Sequence, residues 1–152
     1  MIEIRRVLVP TDFSDHSLAS LRYGAELAEK FGAELIFLHV IQDLALVMPD
    51  AIMPTPVPVP DLTQMTESAK IAVAELIARE KLGRLNPRTE IRFGSPSTEI
   101  IAAAKDLKVD MLCQSTHGRG GLAHLLLGSV AEKVVRHASC PVLTVRSPEA
   151  HK

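Results

Sequence analysis

Apolar residues fall along the chain in two alternating textures. Short runs rich in Val, Ile and Leu are followed by longer stretches in which apolar positions recur every three or four residues. The first run, Arg5 to Pro10, reads as a strand. Behind it Leu18, Leu21, Ala25 and Ala28 stand at helical spacing, with Asp12 or Ser14 placed to cap the helix and Gly32 to end it. The next run, Glu34 to Val40, is almost wholly apolar through Leu35, Ile36, Phe37 and Leu38, as a central parallel strand covered on both faces requires.

The same alternation continues to the C-terminus. A helix over Thr63 to Leu82 collects Ala69, Ala72, Val73, Leu76 and Ile77 on one face and closes at Gly83. A strand follows at Thr89 to Phe93. Gly94-Ser95-Pro96 then supplies a turn, a cap and a first-turn proline for a helix carrying Ile100, Ile101, Ala104 and Leu107. Val109 to Gln114 is a fourth strand, Ser129-Val-Ala-Glu132 fits a capping box opening a last helix, and Pro141 to Val145 is the final strand.

Strand and helix in strict alternation define an α/β protein: a single-domain, open, parallel five-stranded sheet with four helices on both faces, Rossmann-like in class. Residues 1–147 form the domain, without an internal repeat, and 148–152 form a polar C-terminal tail. Between the second strand and its helix, Pro49, Pro54, Pro56, Pro58 and Pro60 forbid a regular helix or a central strand. That stretch reads as an exposed, semi-rigid crossover connection, or else as a docking site for an aromatic groove.

Composition narrows the function classes. The 152 residues are 47% hydrophobic, enough for one core of ordinary size. Seventeen basic residues balance eighteen acidic ones for a net charge of −1, so no overall field draws in nucleic acid or anionic lipid. The start runs directly into Val7-Leu8-Val9 without a long signal-type region, and no apolar run approaches a membrane span. A soluble, cytoplasmic protein is expected. Cys113 and Cys140 lack the close spacing of zinc or redox motifs and are expected to be structural and reduced.

In an open parallel sheet the ligand crevice lies beyond the carboxyl ends of the strands. After the first strand, Pro10-Thr11-Asp12 places a hydroxyl and a carboxylate there, able to accept hydrogen bonds from a ribose or a base. The same Asp12 would also serve simply as a helix cap. After the fourth strand, His117-Gly118-Arg119-Gly120-Gly121 exposes backbone N–H groups, and Gly128-Ser129 adds more at a helix N-terminus. That combination suits a phosphate chain, although a glycine loop beside a capped helix has the same sequence. Arg119 could approach phosphate, and His117 reads either as a ligand contact or as a loop-packing residue. The P-loop ending Gly-Lys-Ser/Thr is absent, and no GxGxxG follows the first strand. His39, His124 and His137 form no metal-ligand spacing, so no protein-built metal site and no catalytic residue is assigned.

Val-Pro-Thr-Asp-Phe-Ser near the start, with Thr-His-Gly-Arg-Gly-Gly, Leu-Leu-Gly-Ser-Val-Ala-Glu and Cys-Pro-Val-Leu-Thr-Val near the end, resembles the universal stress protein family over nearly the full chain. The resemblance implies a universal stress protein domain over 1–147, of the adenine nucleotide alpha-hydrolase-like type. In the ATP-binding branch the pattern is Gly-x2-Gly-x9-Gly-Ser/Thr, onto which Ser115, Gly118, Gly128 and Ser129 fall. Ser115 departs from it: a side chain there would crowd the ribose or α-phosphate, or demand a backbone angle that serine disfavours, although its hydroxyl can itself bond phosphate.

By the same resemblance Pro10, Thr11 and Asp12 line the adenine and ribose end, Val40 contacts the base, and Val130 follows the phosphate cradle. The implied ligand is ATP, or AMP or ADP, with Mg²⁺ carried by the phosphates, and two copies are expected to join as a homodimer through Pro141–Val145. The glycine loop supplies only part of what a fast phosphoryl transferase needs. A regulatory nucleotide binder with at most slow ATP hydrolysis is therefore expected. The alternatives are a stress-related interaction protein that has lost nucleotide binding, and an adenylate-using enzyme of the same architecture.

Overall fold

A computed structural model describes residues 1–42, 61–117 and 127–148. The proline-dense segment, Gly118, Arg119, Gly120, Gly121, His124 and the last four residues lie outside the described residues. The elements run β1 (Arg6–Pro10), α1 (Asp15–Phe31), β2 (Glu34–Ile41), α2 (Leu62–Arg79), a 3-10 turn (Gly83–Leu85), β3 (Arg88–Phe93), α3 (Pro96–Asp106), β4 (Met111–Ser115), α4 (Ser129–His137) and β5 (Val142–Val145). All five strands pair in parallel in the order β3-β2-β1-β4-β5. The α/β reading with a five-stranded parallel sheet therefore holds.

The three inner strands, β1, β2 and β4, alternate their side chains between two cores. Val7, Val9, Leu35, Phe37 and Cys113 pack under α1 and α2 with Leu21, Ala25, Ala28, Val73 and Leu76. Leu8, Ile36, Leu38 and Leu112 pack on the opposite face under α3 and α4 with Ile100, Ala103, Ala104 and Val134. A period of two that is apolar at both phases is what helices on both faces demand. Every fully buried Leu or Val in these layers contributes about 1.5–3 kcal/mol relative to exposure.

Several boundaries differ from the sequence reading for local reasons. Helix α2 stops at Arg79, before the expected Leu82, because Lys81 takes a left-handed φ of 56° and ends the spiral ahead of Gly83. Its start is set by Asp61, whose carboxylate accepts from the N–H groups of Thr63 and Gln64. Strand β4 begins at Met111 and includes Ser115, since Lys108 turns with φ 51° and Asp110 is occupied as a clamp, Oδ2 accepting from the N–H groups of Arg5 and Arg6 at 2.9 Å each. The expected capping box is not formed. Gly128 is the N-cap of α4, Ser129 is its first helical residue, and Glu132 pairs instead with Arg136 at 2.8 Å. Among the described residues no helix is long and apolar enough to cross a membrane.

Candidate functional site

The strand order reverses direction between β1 and β4: from β1 the chain proceeds through β2 to one sheet edge, and from β4 through β5 to the other. Val7 pairs with Met111 and Leu8 with Leu112. Continuing that register brings Thr11 beside Ser115, so the two segments singled out from sequence meet where strand order diverges, the usual place for a ligand crevice.

On the β1 side, β2 grips the chain as it leaves the sheet. The N–H of Thr11 donates to the Leu38 carbonyl at 2.8 Å, and Nδ1 of His39 bonds the Thr11 carbonyl at 2.8 Å. The Thr11 hydroxyl is buried; it lies 3.2 Å from the Ser17 hydroxyl and accepts from the N–H of Phe13 at 3.1 Å. Thr11 thus shapes the turn from inside. Asp12 Oδ1 accepts from the N–H of Ser14 at 2.9 Å and from the Ser14 hydroxyl, a turn that precedes α1. Ser14 itself is the N-cap by position, without a side-chain bond to the first turn. Phe13 sits at φ 62° with its ring 4.5 Å from that of His39, centroid to centroid.

On the β4 side, Ser115 pairs with Val145 as regular strand and has none of the positive φ that would call for glycine. Its hydroxyl donates to the His117 carbonyl at 2.8 Å. The expected backbone conflict at this position is therefore absent. Thr116 donates its N–H to Val145 at 3.1 Å and accepts from the N–H of Gly128 at 2.7 Å, while His117 Nδ1 lies 3.0 Å from the Thr116 hydroxyl. The close approach explains Gly128: a Cβ there would stand 3.0 Å from the Thr116 carbonyl oxygen and 3.6 Å from Cα of His117.

Helix α4 starts at this junction. The first bond inside it runs from the N–H of Glu132 to the Gly128 carbonyl at 2.9 Å, so the N–H groups of Ser129, Val130 and Ala131 have no partner within the helix. No described side chain caps them. The buried Gln114 amide donates to the Ala131 carbonyl at 3.1 Å and fixes this first turn against β4. Ser129 and Val130 are exposed. A helix N-terminus of this kind favours an anion through its oriented donors and the helix dipole.

Pro10, Thr11, Asp12, Ser115, His117, Gly128, Ser129 and Val130 therefore belong to segments that meet at one end of the sheet. Val40 lies near the end of β2, half-buried against the α3/α4 core. Gly118 and Arg119 lie outside the described residues. Sequence reasoning missed His39 and Phe13 as parts of the turn, and missed Gln114. The last had a signal: an amide in an otherwise apolar strand must find a partner when buried. Among the described residues no cluster of His, Cys, Asp and Glu could hold a metal ion. Cys113 is buried beneath α1, where desolvation pushes its thiol up to about 12, and half-buried Cys140 is raised by burial and then by Asp110.

The strand order and the crevice define a doubly wound α/β protein. The chain belongs to the universal stress protein family, whose family model matches residues 3–146. It is 31% identical to the universal stress protein MJ0531 of Methanocaldococcus jannaschii over 95% of this chain and 84% of that protein. The solved structure of MJ0577, from the same organism, is 28% identical, superposes with a TM-score of 0.77, and covers 98% of this chain and 100% of its own. A universal stress protein crystallised in complex with cAMP shares the fold at a TM-score of 0.61 and 23% identity, over 94% of this chain and 97% of its own.

Proposed function

We propose that this universal stress protein binds an adenine nucleotide, ATP with Mg²⁺ or its AMP or ADP products, at the carboxyl ends of β1 and β4, and acts as a regulatory binder in the cytoplasm. The observation that carries the reading is the first turn of α4: three N–H groups without intrahelical partners, no described cap, and Gly128 held against Thr116 so that the turn stays at the crevice. Ser129 and Val130 would offer N–H donors to phosphate, with the Ser129 hydroxyl beside them, and Gly118 and Arg119 would complete the cradle. Asp12 would accept from ribose hydroxyls, with Pro10, Thr11 and Val40 shaping the base end. That a protein of this fold was crystallised in complex with cAMP supports an adenine nucleotide as the ligand class.

These donors would hold a phosphate chain and the single carboxylate the ribose; Mg²⁺, bound chiefly by phosphate oxygens and water, would supply charge neutralisation. Transfer chemistry at speed needs, in addition, a cation at the γ-phosphate and a positioned base. Slow hydrolysis at most is the expected activity. The β5 edge, with half-buried Val142 to Thr144, supports a further part of the reading: two copies pairing through Pro141–Val145.

Mass spectrometry of nucleotide released from denatured protein, followed by calorimetric titration of the emptied protein with ATP–Mg²⁺, tests the first part. Micromolar affinity, about −8 kcal/mol, weakened in Ser129→Ala and Gly118→Ala, is the expected result. A silent wild type would overturn it and leave the interaction-protein reading, which sedimentation of the free protein addresses.

A further inference from the structure

The turn that carries Asp12 is not held by its own strand or helix alone. His39, on β2, reaches across to it twice: Nδ1 lies 2.8 Å from the Thr11 carbonyl oxygen, and the ring sits 4.5 Å from that of Phe13 at an interplanar angle of 40°. A carbonyl oxygen only accepts, so Nδ1 carries the hydrogen, and one of the two neutral tautomers is thereby selected.

Phe13, between these contacts, has φ 62°, a left-handed conformation that a bulky residue keeps only where its surroundings impose it. What imposes it is on view. The N–H of Phe13 is tied to the Thr11 hydroxyl, that hydroxyl is packed against Ser17, and the Thr11 backbone is bonded to Leu38 on one side and His39 on the other. The direction in which Asp12 leaves the sheet follows from the angle at Phe13 and the anchorage of Thr11.

We propose that His39 is a positioning residue of the nucleotide site: by donating to Thr11 and packing on Phe13 it locks the turn that presents Asp12 to the ribose. The ligand half of this proposal rests on the nucleotide reading above; the locking half does not. His39 lies one strand away from Asp12, so a residue of strand β2 would set the affinity of a contact made by the turn after β1.

The test has two independent arms. Ring ¹⁵N chemical shifts of wild-type His39 report which nitrogen bears the hydrogen, and amide exchange of Phe13 and Ser14 in ligand-free protein reports the lock. Calorimetric titration with ATP–Mg²⁺ then compares wild type, His39→Leu and His39→Asn, the last restoring an N–H donor near the place of Nδ1. Expected are a protonated Nδ1, and exchange at Phe13 about tenfold faster in His39→Leu while Val9 and Leu112 keep their protection. A Kd raised roughly tenfold in His39→Leu, the effect of one lost hydrogen bond, and recovered to within about threefold in His39→Asn completes the expectation.

A hydrogen-free Nδ1 overturns the proposal. So does wild-type exchange and affinity in His39→Leu, or loss of Val9 and Leu112 protection in both variants, which would make His39 a core residue only. A wild type with no nucleotide affinity sinks the ligand half together with the nucleotide reading, and the ring and exchange measurements still decide whether His39 locks the turn.

Discussion

The hydroxyl of Ser115 donates to the carbonyl oxygen of His117 at 2.8 Å, folding the last residue of β4 back onto the start of the loop that follows. The backbone there is ordinary strand, paired with Val145. Replacing Ser115 with the glycine of the family pattern therefore relieves no strain. Ser115→Gly is expected to lower stability by about 1 kcal/mol, from the lost bond and the looser backbone. Nucleotide affinity should improve by no more than about threefold. Urea titration and calorimetry on the same samples check both; a gain of an order of magnitude in affinity would show that the serine obstructs the ligand.

Gly24 lets α1 lie close on β1. A Cβ added to it would collide with Cγ2 of the buried Val9 and come within 3.6 Å of Cβ of Cys113. Alanine normally strengthens a helix by about 1 kcal/mol over glycine. Here the overlap wins, and Gly24→Ala should destabilise the protein by about 1–3 kcal/mol. A denaturation midpoint at or above the wild-type value would refute the close approach.

Cys113 couples the core to alkaline pH. Burial raises its thiol from 9.0 to about 12, so the folded protein keeps the proton over a range in which the unfolded chain has released it. The stability it contributes is complete below pH 9 and is lost as pH rises toward 12, at up to about 1.4 kcal/mol per unit. The difference in unfolding free energy between wild type and Cys113→Ala, followed from pH 8 to 11, should shrink accordingly. At pH 8 a thiol reagent is expected to label Cys140 well before Cys113.

Three helices end in the same hydrogen-bonded motif. Ala33 donates to Ala28, Leu82 to Ile77, and Val109 to Ala104, each after a residue in the left-handed region: Gly32, Lys81 and Lys108. Only the first is a glycine. Lys81→Gly and Lys108→Gly should each stabilise the fold by about 0.5–1 kcal/mol by removing the Cβ penalty. Thermal melting of the two single variants and the pair, with additive shifts, is the check.

What was legible in the sequence was whatever left a periodic or compositional trace. The doubly apolar strand 35–38 announced helices on both faces, and Pro96 announced the start of α3 at the residue where it begins. The ends of α2 and α3 were not legible, because a lysine in the left-handed region leaves no mark in a pattern that looks for glycine. Ser129 and Glu132 matched a capping box by type and spacing, yet the chain placed the cap one residue earlier, at Gly128, where the Thr116 carbonyl draws its N–H. In the site, Asp12 was found by position after a strand and Gly128 by position before a helix. His39 was not, because its role is to bond a carbonyl 28 residues away, and nothing local distinguishes it from a core histidine.

The pairing of Leu8 with Leu112 also has a bearing on how the molecule comes into being. As a ribosome delivers the chain, β1 emerges first, and its β2 neighbour soon afterwards, whereas its other neighbour is synthesised about a hundred residues later. Until then Val7 to Pro10 has one open flank, and half of the crevice does not exist. On the nucleotide reading, ligand would thus gain no hold until β4 has been made and paired.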